Sequence, residues 1–250
     1  MAEACELSVV IPVHDEERIV EEACRELVAR LEERGLAFEV LLSENGSRDG
    51  TRRILERLSG EDPRLRYLTA DAANYGRALR LGILAARGRY VVADEIDLCD
   101  LAFYDRALPM LRRGEADMVV GSKRAPGAED RRPAYRRLAT WAHNSLLRVA
   151  LGFEGTDTHG VKAMVRTSLA PVAARCVVEG DVFASELVLR AAREGCRVTE
   201  IPVALRERRP PTIGLMRRVP RVLGQVARLI LVLRLRPPAR RPAASEAEEP

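Results

Sequence analysis

From Leu7 to Ala93 the chain alternates short apolar runs with amphipathic stretches, and this alternation constrains its fold more than any other feature. Leu7–Val13, Phe38–Leu42, Leu65–Leu68 and Tyr90–Ala93 read as four buried strands. Between them lie three helices: Ile19, Ala23, Leu27 and Leu31 share one face, and Thr51–Leu58 and Arg77–Ala86 follow. His14-Asp15-Glu16-Glu17 is expected to open the first helix, with acids favouring its N-terminal dipole. Strand–helix–strand order with right-handed crossovers implies an α/β fold, a parallel sheet with helices on both faces.

Beyond residue 100 the pattern continues less regularly. Phe103–Arg112 reads as a helix, Asp117–Val120 as a strand, and Ser122–Arg132 as a mobile loop rich in Gly, Pro and charge. Arg136–Leu151 is helical, Val161–Val165 apolar, Val182–Glu194 helical and Arg197–Pro202 a strand. A basic loop, Arg206–Gly214, precedes a last helix over Pro220–Arg236 with proline at its start. With no linker visible near residue 100, the expected organisation is one domain over 1–214, a basic amphipathic helix over 215–238 and a disordered tail over 239–250.

Ligands of such sheets bind beyond the carboxyl ends of the strands. The loops His14–Glu17, Ser43–Gly50 and Asp94–Asp100 all leave strand ends there, so they are expected to line one crevice. The third carries Asp94, Glu95 and Asp97 directly after an apolar strand. Crowded carboxylates repel unless a proton or cation sits among them, and such clusters suit a divalent metal carrying phosphates. The plainer reading is a strand end turning out to solvent.

All but two of the 41 basic residues are arginine, the exceptions being Lys123 and Lys162. That bias carries no functional weight by itself. The net charge is +4, yet Arg206 to Arg241 holds eleven arginines and one acid, Glu207, which points to an anionic partner such as lipid headgroups or phosphates. Nucleic acid is disfavoured: the ten aromatic residues do not interleave with those arginines. The five cysteines show no metal or redox spacing and read as reduced and mostly buried. The N-terminus lacks the features of a secretory signal, and no run of about eighteen apolar residues occurs. The expected location is therefore cytoplasmic, with peripheral contact on the inner face of the cell membrane.

The segments VVIPVHDEE, SENGSRDGT, EID at 95–97, TDTHGVKAM and VFASELVLRA, in this order, resemble the family 2 glycosyltransferases with a GT-A fold. Within that family the chain is most similar to dolichyl- and polyprenyl-phosphate mannosyltransferases, over about Leu7 to Gly214. The resemblance implies a Rossmann-like, mostly parallel sheet flanked by helices. It also implies a nucleotide-sugar donor bound through Mg²⁺ or Mn²⁺, and inverting transfer. Carried over by position, Asp97 is the metal ligand with Glu95, and Asp94 stands beside them as a substitute. Glu44 and Asn45 face the nucleobase or ribose, and Pro12, Val13 and Asp15 shape the base pocket. Lys123, Arg136 and Arg208 stand where lipid-phosphate transferases keep cations. VFASELVLRA matches a helix bearing an acceptor-site glutamate, here Glu186, which alternatively faces solvent. Two departures concern the donor: Glu44-Asn45 replaces paired aspartates, and E-x-D replaces D-x-D.

A sugar hydroxyl must lose its proton on attack and needs a base within reach, for which Asp157 is the candidate. A lipid monophosphate is already an oxyanion and needs cations, for which Lys123, Arg136 and Arg208 are the candidates. The arginine excess tips the balance toward a lipid-phosphate acceptor over a glycan or small-molecule hydroxyl. Asp157 also reads as a cap, His159 as an acceptor contact or a packed residue, and Lys162 as a phosphate contact or a plain strand residue. The last helix, with Val219, Val222, Leu223, Val226, Leu229, Ile230 and Leu233 at helical spacing among arginines, reads as a membrane contact or as a helix packed on the sheet or in a homodimer interface. A catalytically silent nucleotide- or lipid-binding relative is the competing class.

Overall fold

The computed structural model describes residues 5–205 and 215–235. Nine strands are described: β1 (Leu7–Val13), β2 (Phe38–Asn45), β3 (Leu65–Ala70), β4 (Tyr90–Ala93), β5 (Met118–Ser122), β6 (Glu129–Asp130), β7 (Lys162–Val165), β8 (Val198–Pro202) and β9 (Ala204–Leu205). Seven form one sheet in the order β3-β2-β1-β4-β7-β5-β8, and β6 pairs with β9 apart from it. The helices are α1 (Val20–Glu32), α2 (Thr51–Glu61), α3 (Tyr75–Ala85), α4 (Leu101–Arg112), α5 (Ala134–Leu151), α6 (Arg166–Arg175), α7 (Phe183–Arg193) and α8 (Leu215–Leu235).

The period-2 alternation of side chains sorts the core into two layers. Leu7, Val9, Ile11 and Val13 of β1 face α1, α2 and α4, where they meet Leu27, Leu31, Leu55, Leu58 and Phe103. Val10, Leu41 and Val91 face the other way, onto Leu79 and Ile83 of α3 and Phe183 and Leu187 of α7. Each fully buried side chain of this size contributes roughly 1.5–3 kcal/mol.

The sheet is parallel except at β7, which runs antiparallel to both β4 and β5. The chain reaches β7 along the carboxyl edge after α5, so no crossover is required. Lys162, the first residue of β7, therefore sits opposite Ala93 and Val120, at the edge where β4 and β5 end.

Several expectations are corrected. The segment His14–Glu17 does not open a helix; α1 starts at Val20. The amides of Asp15, Glu16 and Glu17 bond instead to Ser47 Oγ, Thr51 Oγ1 and Asp49 Oδ2, at 3.0, 2.8 and 3.1 Å. Those bonds, with Asp15 in the left-handed region at φ 53°, hold a turn. Helix α5 begins at Ala134 after Pro133, slightly before the expected start. Helix α6 was not anticipated, because its ten residues carry little apolar periodicity. Pro220 lies inside α8 rather than at its start. The expected Arg206–Gly214 loop and the 239–250 tail lie outside the described residues.

Helix α8 packs on the domain. Val226, Leu229 and Leu233 are buried in the second core layer, and Gln225 Oε1 accepts from the Val182 amide at 3.3 Å. The Arg193 guanidinium donates to Leu233 O and Leu151 O, each at 2.8 Å, tying the ends of α8 and α5 together. Exposed apolar residues line α5, with Tyr135, Leu138, Trp141, Leu146 and Val149 open to solvent, and also α8, with Val219, Leu223, Leu231 and Leu235. Among the described residues no helix is long and apolar enough to cross a membrane.

Candidate active site

The site is assembled along the carboxyl edge of the sheet. The loops after β1 and β2 are zipped together: the Arg48 amide donates to Asp15 Oδ1 at 2.7 Å and the Gly50 amide to Glu17 Oε2 at 2.8 Å. Glu44 is buried and accepts from the Ser47 amide at 2.5 Å. Asn45 is also buried, and its Oδ1 accepts from the Asn74 amide at 2.5 Å. Its carbonyl side is thus committed to the start of α3. Asn74 in turn caps that helix at Arg77 and accepts from the Gly180 amide at 2.9 Å. Val13 packs in the core, Pro12 is half-buried beside it, and Asp15 is exposed.

The acidic loop divides into two kinds of carboxylate. Asp94 is buried and fully engaged, accepting from the Tyr104 hydroxyl at 2.8 Å and the Glu95 amide at 2.7 Å. Burial pushes its pKa up to about 7, and the neighbouring Glu95 charge adds to the rise. Glu95 and Asp97 differ from it: no hydrogen bond or ion pair from a described residue reaches either carboxylate. Ile96 between them is buried, whereas Glu95 is exposed and Asp97 half-buried. Glu95 is open to water but hemmed in by surrounding atoms; that crowding, then the Asp97 charge, raises its pKa. Lys123, Lys162 and Arg136 act in the opposite sense on the same carboxyl, so three cations lie within electrostatic reach of it.

No group of three or more His, Cys, Asp or Glu side chains among the described residues forms a complete cage for an ion. The donor set nonetheless fits a hard divalent cation of the Mg²⁺ or Mn²⁺ kind. Such ions are held by one or two carboxylates, with substrate phosphates and water completing the shell. Glu95 and Asp97 would supply two mutually repelling oxygen ligands, and Asp94, whose oxygens accept from Tyr104 and the Glu95 amide, lies directly beside them.

Asp157 has no solvent exposure. Its Oδ2 lies 3.1 Å from Lys123 Nζ, and its Oδ1 accepts from the His159 amide at 2.9 Å. Burial alone would raise its pKa, but the Lys123 charge and the hydrogen bonds outweigh it and hold the carboxyl at about 2. Behind it, Glu200 Oε1 accepts from the Thr156 amide at 2.7 Å and the Asp157 amide at 3.2 Å. Gly160 lets this loop press on β5, since a Cβ there would stand 1.7 Å from Gly121 O. Arg136 lies half-buried in the first turn of α5. Arg208 lies outside the described residues.

Some features had little signal in the sequence. His143 and His159 stack edge to face with ring centroids 4.8 Å apart, joined through Ser185 and Thr158. His159 is open to water yet hemmed in by surrounding atoms; that crowding, then His143, lowers its pKa. Glu186 does not face solvent: it is fully buried, accepts from the Val178 amide at 2.6 Å and pairs with Arg190 at 2.7 Å. Lys162 is buried beside the acidic loop, with Nζ 2.7 Å from Gly160 O. The cysteines are free, and four of the five are buried.

A family model described as "Glycosyl transferase family 2" matches residues 8–171. Glycosyltransferase AglD of Haloferax volcanii is 34% identical over 94% of this chain and 39% of its own length. An undecaprenyl-phosphate mannosyltransferase of Micrococcus luteus is 32% identical over 68% of this chain and 72% of its own length. The chain thus spans well under half of the first relative's length. Among solved structures, glucosyl-3-phosphoglycerate synthase from Mycobacterium tuberculosis, in complex with Mn²⁺, UDP and phosphoglyceric acid, superposes with a TM-score of 0.64. It is 21% identical over 90% of this chain and 78% of that one, a likeness of fold. With the GT-A architecture, the sheet-edge cleft and the sequence match in agreement, this chain belongs to glycosyl transferase family 2.

Proposed function

We propose that this chain is a metal-dependent inverting glycosyltransferase that moves a sugar from a nucleotide-sugar to a polyprenyl phosphate or related lipid-linked acceptor. The observation that carries this reading is the pair of buried lysines at the carboxyl edge of the sheet: Lys162 opposite Ala93 of the strand that leads to Glu95, and Lys123 directly after β5, both acting with Arg136 on the Glu95 carboxyl. A phosphate acceptor needs cations at hand, and this cleft is rich in them. Its own oxyanion attacks the anomeric carbon directly, and a single displacement inverts that centre. A divalent ion held by Glu95 and Asp97 would supply Lewis-acid neutralisation of the departing diphosphate. Two named relatives support the acceptor class: the undecaprenyl-phosphate mannosyltransferase, and an undecaprenyl-phosphate 4-deoxy-4-formamido-L-arabinose transferase of Pseudomonas aeruginosa, 31% identical over 81% of this chain and 58% of its own length.

Asp157 is poorly suited to act as a base on a hydroxyl acceptor. A carboxylate held at about 2 and paired to Lys123 takes up a proton weakly at neutral pH.

A lipid acceptor has to be met at a bilayer, and α5 is a fitting surface. Tyr135 is 51% exposed, Leu138 62%, Trp141 51% and Val149 85%, and Arg136 adjoins the first of them. Apolar and aromatic residues along one face beside arginines suit the interface of a membrane bearing anionic lipids. Helix α8 keeps exposed apolar residues of its own, Val219, Leu223, Leu231 and Leu235, beside the face that the core occupies, so the contact expected of α8 stands alongside that of α5. Such an enzyme would work peripherally on the inner face of the membrane.

The test is transfer from a panel of nucleotide sugars to a polyprenyl phosphate and to the matching polyprenyl alcohol, with Mn²⁺, Mg²⁺ or chelator. Metal-dependent transfer to the phosphate alone is expected. Transfer to the alcohol alone would overturn the acceptor assignment, and transfer to neither would overturn the enzymatic reading.

A further inference from the structure

We infer that Lys162 is an anion-holding residue of this site, its ammonium receiving a phosphate oxygen at the carboxyl edge of the sheet, where β4 ends and β7 begins. The inference deepens the proposed function and rests on it. Its starting point is compositional. All but two of the 41 basic residues are arginine, yet the two lysines both lie at the carboxyl edge of the sheet, 9% and 3% exposed, and both act electrostatically on Asp157 and Glu95. Many of the described arginines are exposed in surface ion pairs, such as Arg25, Arg57 and Arg113. Arginine and lysine are interchangeable where only a solvated charge is wanted. They differ in a narrow buried site, where a compact ammonium on a thin stem fits and a flat five-donor fork does not.

The two lysines differ in how their charge is balanced. Lys123 is paired with Asp157 at 3.1 Å. Among the described residues Lys162 forms no ion pair; its bonded partner is a neutral carbonyl, Gly160 O, at 2.7 Å, with the Asp157 and Glu95 charges acting on it from further off. An ammonium has three donors, so two remain for a ligand. A buried cation without a bonded counter-ion is costly, and burial accordingly lowers the Lys162 pKa to about 8. A protein gains from keeping such a charge where an incoming anion completes it. The register opposite Ala93 sets the ammonium beside the loop that carries Glu95 and Asp97, where the phosphates of donor and acceptor would meet.

The anion is a phosphate group, of the donor's diphosphate or of the acceptor's monophosphate, and binding by calorimetry separates the two. One arm titrates UDP and GDP with Mn²⁺; the other titrates farnesyl phosphate in detergent micelles. Lys162→Met is expected to weaken one arm at least tenfold, which identifies the source, and to leave the melting temperature unchanged or higher. Lys162→Arg is expected to lose at least tenfold in the same arm despite keeping its charge. Should Lys162→Met not fold, Lys162→Gln, which can still donate to Gly160 O, carries the same measurement. Wild-type affinity in both arms for Lys162→Met, or for Lys162→Arg, overturns the inference while the glycosyltransferase reading stands. So does a lowered melting temperature with binding intact. A wild-type chain that binds neither probe overturns that reading, and the role of Lys162 with it.

Discussion

Lys123 Nζ lies 3.1 Å from Asp157 Oδ2, joining the end of β5 to the loop before β7 through an ion pair whose acid has no solvent exposure. Removing one partner leaves the other charge buried and uncompensated, which costs about 3–5 kcal/mol. Asp157→Asn and Lys123→Met are each expected to lower stability by that order in urea melts. The double variant should lose less than the sum, and strict additivity would show that the pair does not couple.

The same pair gives a pH dependence. The Asp157 carboxyl is held at about 2, below its ordinary 3.8, so its stabilisation is complete above about pH 4 and is lost as pH falls toward 2. The magnitude is on the order of 2 kcal/mol. Melting temperature measured from pH 6 to pH 2.5 should fall more steeply for the wild type than for Asp157→Asn. Parallel curves would remove this carboxyl from the acid transition.

The two uncommitted acids give a prediction about metal. Asp97→Asn or Glu95→Gln should abolish the extra stabilisation that Mn²⁺ adds to nucleoside diphosphate binding, and reduce transfer by about a hundredfold or more. Asp94→Asn should instead act chiefly on stability, since its oxygens serve Tyr104 and the Glu95 amide. A Mn²⁺-dependent thermal shift that survives in Asp97→Asn would move the ion elsewhere.

The exposed face of α5 can be tested without touching the site. Trp141→Ser combined with Leu138→Ser should leave melting unchanged within about 0.5 kcal/mol and reduce flotation with vesicles containing anionic lipid. Equal flotation of wild type and variant would remove α5 from any membrane contact, and a change in dimerisation would assign the face to a second copy.

At Gly160 no side chain can be accommodated against Gly121 O, so Gly160→Ala should destabilise the chain by about 2 kcal/mol or more and displace Lys162. Crystals of a folded variant with β7 unmoved would contradict the close packing described here.

Much of the framework could be read from residue order. Strands β1 to β4 and helices α2 to α4 follow from apolar periodicity, and their alternation is enough to bring Asp15, Glu44, Asn45 and Glu95 to one edge, because parallel crossovers admit few arrangements. Family membership was legible too, since the motifs are local in sequence. What sequence could not provide was anything set by long-range partners. Asp94, Glu95 and Asp97 look alike in the chain, yet the first is buried against Tyr104 and a backbone amide while Glu95 stays open to water. The acids of His14–Glu17 look like a helix start until the Ser43–Gly50 loop claims their amides. The apolar stripe of α8 matched a membrane helix, while the core it fills and the bare face left on α5 exist only after packing. Lys162 read equally as a phosphate contact or a plain strand residue, until the antiparallel entry of β7 set it beside the acidic loop, buried and with no ion pair among the described residues. Periodicity reports which side of an element is apolar; only the folded chain decides what covers that side and which charges end up facing one another.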